Sequence, residues 1–145
     1  MSELIGTWCD RGTLAVSGNT TAETTVDTTP RKIGAFATSV VASGVTVSTA
    51  NDNIVIADAG DYLVLGSVSF SGTISATYNI EIYKNTAATG LVLERKLGTG
   101  GDTGNSGVQG IVTCAASDAI SLYQYTADGS IMTVRDAQLT VIRLS

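Results

Sequence analysis

Histidine is missing from the 145 residues. Its absence removes Ser-His-Asp and Cys-His catalysis, imidazole metal ligation and the usual proton shuttle at neutral pH. Cysteine occurs only at Cys9 and Cys114, too few for a disulfide scaffold and without metal-ligand spacing, so both are expected to be buried thiols. Charge is scarce: 8 basic and 13 acidic residues leave a net charge of -5, and no basic run can neutralise a row of phosphates. Nucleic-acid binding is therefore disfavoured. No apolar run approaches the ~20 residues that span a bilayer, so no membrane partner is expected, and Met1-Ser-Glu-Leu4 lacks the basic start and apolar stretch of a secretory signal. Synthesis in a cytoplasm is expected. There is one proline, and no window shows a helical period.

What is abundant is threonine, valine, isoleucine and glycine, the composition of short pleated strands joined by tight turns. Alternation of apolar and polar residues predicts strands at Thr13 to Val16, Lys32 to Ala37, Val45 to Ser48, Asn53 to Ala57 and Asp61 to Phe70. Further strands are predicted at Thr77 to Lys84, Leu91 to Leu97, Val108 to Cys114, Ala119 to Tyr125 and Ala137 to Leu144. About ten strands in a chain of this length make one all-β sandwich or barrel. Gly98 to Gly107 reads as a flexible loop, since no Gly-Lys-Ser/Thr ending or helix follows. Ser17 to Thr29, closed by Pro30, is too weakly patterned to separate an edge strand from an arm lying on a neighbour.

Two strands carry apolar residues on both faces. Tyr62, Val64, Val68 and Phe70 share one face of the Asp61 strand, yet Leu63 and Leu65 begin the other. Leu139 and Val141 oppose Ile142 and Leu144 in the last strand. By contrast, Thr77 to Lys84 turns Tyr78, Ile80 and Ile82 inward and Thr77, Asn79, Glu81 and Tyr83 outward, the pattern of a sheet with one wet face. A second apolar face on a small sandwich has to be covered, either by the chain's own N-terminal segment or by another copy. Self-association is the favoured reading. Tyr123 and Tyr125 are expected as surface aromatics. Asp58 and Asp61 bracket the Ala59-Gly60 turn with too few neighbouring oxygens for calcium, and Asn19-Thr-Thr21 is a glycosylation pattern with no secretory context. No catalytic constellation, metal site or cofactor is expected.

Several segments together resemble the jelly roll of the complement globular head and tumour-necrosis-factor family. They are Gly60-Asp-Tyr62 opening a long strand, Asn79-Ile-Glu-Ile-Tyr-Lys-Asn85, Cys114-Ala-Ala-Ser-Asp-Ala-Ile-Ser-Leu122 and Ala137-Gln-Leu-Thr-Val-Ile-Arg-Leu144. Ser117 departs from the family, which often carries glycine there. The resemblance, which covers roughly Val45 to Ser145, implies a two-sheet antiparallel jelly roll and a compact homotrimer; the jelly-roll domain is expected over residues 30–145, with residues 1–29 as an N-terminal arm or first edge strand. It places Leu63, Leu65, Ile111, Thr113, Thr140 and Ile142 against neighbouring subunits, and Tyr62, Val64, Ile80, Ile82, Leu122, Leu139 and Val141 in each core. A jelly roll with no collagen stem, shaft or active site further resembles the trimeric decoration, or cement, proteins of tailed-bacteriophage capsids. That implies a structural virion protein on the outer capsid surface, with the major capsid protein as partner and Leu4, Ile5 and Trp8 as its shell or neighbour contact. The alternative is a carbohydrate- or receptor-binding knob of a phage tail or cell surface.

Overall fold

The computed structural model describes residues 9–23, 28–99 and 102–145. Among these there is no helix, and eleven strands form two antiparallel sheets. The first sheet holds β1 (Arg11–Val16), β3 (Thr38–Ser43), β6 (Gly60–Gly72), β9 (Thr103–Cys114) and β11 (Met132–Arg143), in the order β3-β1-β11-β6-β9. The second holds β4 (Val45–Ser48), β5 (Asn53–Ile56), β7 (Thr77–Lys84), β8 (Ala87–Lys96) and β10 (Ala119–Thr126), in the order β4-β5-β10-β7-β8. The two-residue β2 (Arg31–Lys32) pairs with β10. First and last strands lie side by side, with Thr13 opposite Thr140 and Leu14 opposite Leu139. This is a jelly roll.

The alternation read from the sequence sets what lies between the sheets. Tyr62, Val64, Ile80, Ile82, Leu122, Leu139 and Val141 are all buried, and Phe70 tilts against Tyr78 with ring centroids 5.0 Å apart. Gly44, at a φ of 65°, carries the chain from β3 in one sheet to β4 in the other. A Cβ there would strike the Asp10 carboxylate, so glycine answers both the left-handed backbone and the close approach.

The structure departs from the expectation at several points. The predicted strand from Lys32 to Ala37 ends at Lys32, after which Ile33 and Phe36 bury in the core outside any strand. β3 was not predicted because it has no buried face to impose a period of two: five of its six residues are exposed. The glycine-rich loop is shorter than expected, since residues 103–107 belong to β9. Gly104 lies under the Phe70 ring, where a Cβ would come within 2.7 Å of Cζ. Cys114 is buried but Cys9 is exposed, because the core strand begins two residues after it. β1 falls within residues 1–29, and it is an inner strand held by β3 on one side and β11 on the other.

Turns tie the ends of the sandwich together. Arg143 gathers Asp10 at 3.0 Å, Asp58 at 3.5 Å and the carbonyl of Ala59 at 2.8 Å. Asp118 accepts from Asn85 Nδ2 at 2.9 Å and the Ala115 amide at 2.8 Å, and these bonds hold its carboxyl below the usual range. Beside it, Ser117 sits at a φ of 73°, the left-handed region that glycine enters without a Cβ penalty.

Candidate functional site

A residue facing outward on one antiparallel strand has as its cross-strand neighbour another outward residue about 4.8 Å away. The register of the first sheet therefore fixes which side chains share its outer face. One row reads Arg11, Ile142, Leu63, Ile111; the next reads Thr13, Thr140, Leu65, Gln109. After these come Ala15, Gln138, Ser67 and Gly107, and then Asp136, Ser69 and Asn105. The face thus grades from apolar at one end to amide and hydroxyl at the other.

Five of the six residues assigned to a subunit contact lie in the first two rows. Leu63, Leu65, Thr140 and Ile142 are half-buried by their neighbours, while Ile111 on outer strand β9 is 62% exposed. Thr113 is exposed on the other side of the first row, opposite Asp61, to which its hydroxyl donates at 2.6 Å. Leu4, Ile5 and Trp8 lie outside the described residues.

The sequence places Gln138 on this face beside Thr140 and Ile142 without assigning it a role, and gives no sign of Thr13, Gln109 and Gly107 beside it. The hydroxyls of Thr13 and Thr140 share a hydrogen bond of 3.0 Å. Two shallow depressions run along the polar part. One, about 440 Å³, is lined by Leu65, Ser67, Gly107, Gln109, Gln138 and Thr140; the other, about 420 Å³, lies over Ala15, Ser17, Ser69, Asn105 and Asp136. Gly107 has only the Gly66 carbonyl within 4 Å of where a Cβ would stand, at 3.6 Å. The protomer has room for a side chain there, and its lack leaves a recess in the face. Strand parity alone signals these positions, but only once β1, β9 and β11 are known to be neighbours.

Asp136 lies at the polar end, beside the bulge that shifts register between Val134 and Asp136. It accepts from the Ser17 hydroxyl at 2.8 Å, the Gly18 amide at 3.0 Å and the Ser69 hydroxyl at 2.9 Å, bonds that hold its carboxyl below the usual range. Both its oxygens are occupied in bracing the chain after β1. Asp58 and Asp61 are likewise drawn to different partners, Arg143 and Thr113. Among the described residues no three His, Cys, Asp or Glu side chains gather. Among the same residues, no helix is long and apolar enough to cross a membrane.

The outer face of the second sheet is drier than its alternation predicts. Glu81 and Tyr83 point outward but are 7% and 8% exposed. The register shift between β7 and β8 brings the hairpin over Glu81, to which the Gly90 amide donates, and the Tyr123 ring of β10 stacks on Tyr83 with centroids 3.9 Å apart. Burial, then the charge of Glu81, pushes the Tyr83 phenol up. Tyr123 and Tyr125 are half-buried, so they are partners in a packed cluster and only in part surface aromatics.

By sequence the chain matches no family model and no curated protein. By structure it superposes on the Eiger TNF of S. frugiperda with a TM-score of 0.71 and 10% identity, over 95% of this chain and 94% of that one. This is the fold of the tumour-necrosis-factor and complement heads. The globular domain of zebrafish complement 1qA gives a TM-score of 0.69 at 7% identity, covering 94% of this chain and 98% of the other. The PRD1 vertex protein P5 gives 0.64 at 13%, covering 97% and 100%. The jelly roll implied by Gly60-Asp-Tyr62 and the segments after it is therefore present, and one of the proteins sharing it is a vertex protein.

Proposed function

We propose that three copies of this chain meet through the outer face of the first sheet, and that the trimer is a structural virion protein that caps and braces a shell. The observation that carries the reading is the row Ile142, Leu63, Ile111 on an outer sheet face, continued by Leu65. A protomer leaves this apolar row open to water; a threefold contact covers it in all three copies at once. Leu63, Leu65, Ile111, Thr113, Thr140 and Ile142 are assigned to that contact, and the recess over Gly107 to a side chain of the neighbour. The likeness to the PRD1 vertex protein P5 supports a place on a virion.

The action is mechanical. A trimer on the outer capsid surface presents three copies of the same weak contact to the major capsid protein, and linked contacts of this kind raise avidity by ~10² to 10⁴ over one alone. Leu4, Ile5 and Trp8 are assigned to the shell, Trp8 as the anchor, because a buried Trp is among the commonest dominant contributors to an interface. The test adds the purified protein to shells lacking it. Saturable binding in multiples of three copies, with shells more resistant to heat, is expected; a chain lacking residues 1–8 keeps the trimer and loses shell binding. A monomeric protein, or a trimer that leaves shells unbound and unchanged, overturns the reading. Binding to a glycan or cell-surface receptor with no affinity for shells would identify the receptor-binding knob instead.

A further inference from the structure

The rims of the two sheets are not equally protected. An open strand edge offers unpaired backbone N–H and C=O groups to any other strand, and proteins blunt such edges with charge, proline, bulges or brevity. β4 is four residues long. β8 carries Glu94, Arg95 and Lys96. β9 runs beside β8, and Lys84 Nζ donates to its Thr113 carbonyl at 3.0 Å. β3 has little of this protection. It pairs with β1 on one side, and no strand among the described residues pairs with it on the other. It lies in a stretch from Ile33 to Asn51 that contains neither a charged residue nor proline. Val40 at its middle is 61% exposed. Among the described residues, the register shift against Thr13 and Leu14 is what blunts it.

We propose that β3 is a second assembly edge, at which one copy of this chain pairs antiparallel with β3 of another and joins their first sheets into one continuous sheet. Charge selects the occupant. The chain carries a net charge of -5, so two copies repel when most of their surfaces approach. The stretch around β3 brings no like charges together. Its sequence also suits self-pairing. Opposed residues of antiparallel strands share a face, so a twofold axis must centre on a residue. The bulge leaves Val40 without a partner on β1, and on the regular stretch before it, centred on Ser39, Val40 meets Thr38 and Ser39 meets its own copy, opposing small and β-branched side chains without a charge in the ladder. The contact uses the rim of the sheet and not its outer face, so it is independent of the threefold contact through Leu63 and Ile111. Where both form, the twofold pairing links one trimer to the next.

The experiment follows mass by analytical ultracentrifugation and amide exchange over Thr38–Ser43, at rising concentration. It compares the wild type, Val40→Lys, Ile111→Asp and the double variant. Lys at position 40 extends into solvent and leaves the protomer folded, as circular dichroism will show. Expected results are pairing of wild-type assemblies, dimers of Ile111→Asp, monomers of the double variant, and exchange in β3 that slows about tenfold or more with concentration only where position 40 is Val. Equal β3 exchange at every concentration, or self-association of Val40→Lys like that of the wild type, overturns the proposal. If Ile111→Asp and the wild type have the same mass, the threefold reading fails, and the edge is then judged on the dimer alone.

Discussion

Replacing Ile111 with Asp tests the threefold contact most directly, because its effects on the protomer and on the assembly are far apart. In the protomer Ile111 is 62% exposed, so the change removes little packing. Its cost there is within about 1 kcal/mol, mostly the poor strand preference of Asp. Full burial of an Ile side chain is worth about 1.5 to 3 kcal/mol, so covering the exposed share returns about 1 to 2 kcal/mol per copy and about 3 to 6 per trimer. Asp forfeits that gain and places three carboxylates beside Leu63 and Ile142, each costing several kcal/mol more once water is excluded. The loss is on the order of 10 kcal/mol per trimer, or about seven powers of ten in its dissociation constant. With the β3 edge blocked by Val40→Lys in both proteins, light scattering on a sizing column should find a trimer where position 111 is Ile and a folded monomer where it is Asp, with melting temperatures that differ little once the trimer is diluted to monomer. A monomeric wild type, or an Ile111→Asp protein that remains trimeric, refutes the reasoning.

Four further outcomes are expected. Gly107→Leu should fold normally and fail to trimerise, whereas Gly104→Ala, pressed against Phe70, should lower protomer stability by about 1 to 3 kcal/mol in chemical denaturation; equal effects on folding would remove the recess argument. Ser117→Gly should raise stability by up to about 1 kcal/mol, since relief of the left-handed Ser outweighs the added chain entropy; a loss in urea melts would show that the Ser117 side chain matters more than its φ. For Asp118, whose carboxyl is held below its unfolded value, stability is fully present above the unfolded value and is lost as pH falls through the folded one; Asp118→Asn should melt with a shallower acid dependence, and an unchanged acid limb would refute it. Neither chelator nor reductant should dissociate the assembly, and a thiol reagent should label exposed Cys9 quickly and Cys114, its thiol pushed up by burial, only on unfolding; equal rates would contradict the packing.

Side-chain alternation was enough to specify, from the sequence by itself, an all-β sandwich, most of its strands and the two-sided apolarity of Leu63, Leu65 and Ile142, because a period of two is written locally wherever one face is buried. The same rule explains the failures. β3 has no buried face and so no period, and Ile33 and Phe36 reach the core from irregular backbone. Glu81 is dried by a hairpin that folds back through a register shift, and Tyr83 by the Tyr123 ring of a neighbouring strand, neither of which a local pattern records. The assembly face needed tertiary structure, because Arg11, Ile142, Leu63 and Ile111 come from four separate strands. Only the order β1-β11-β6-β9 sets them in one row, and strand order is decided by which faces bury against the opposite sheet, a long-range choice that a sequence window does not contain.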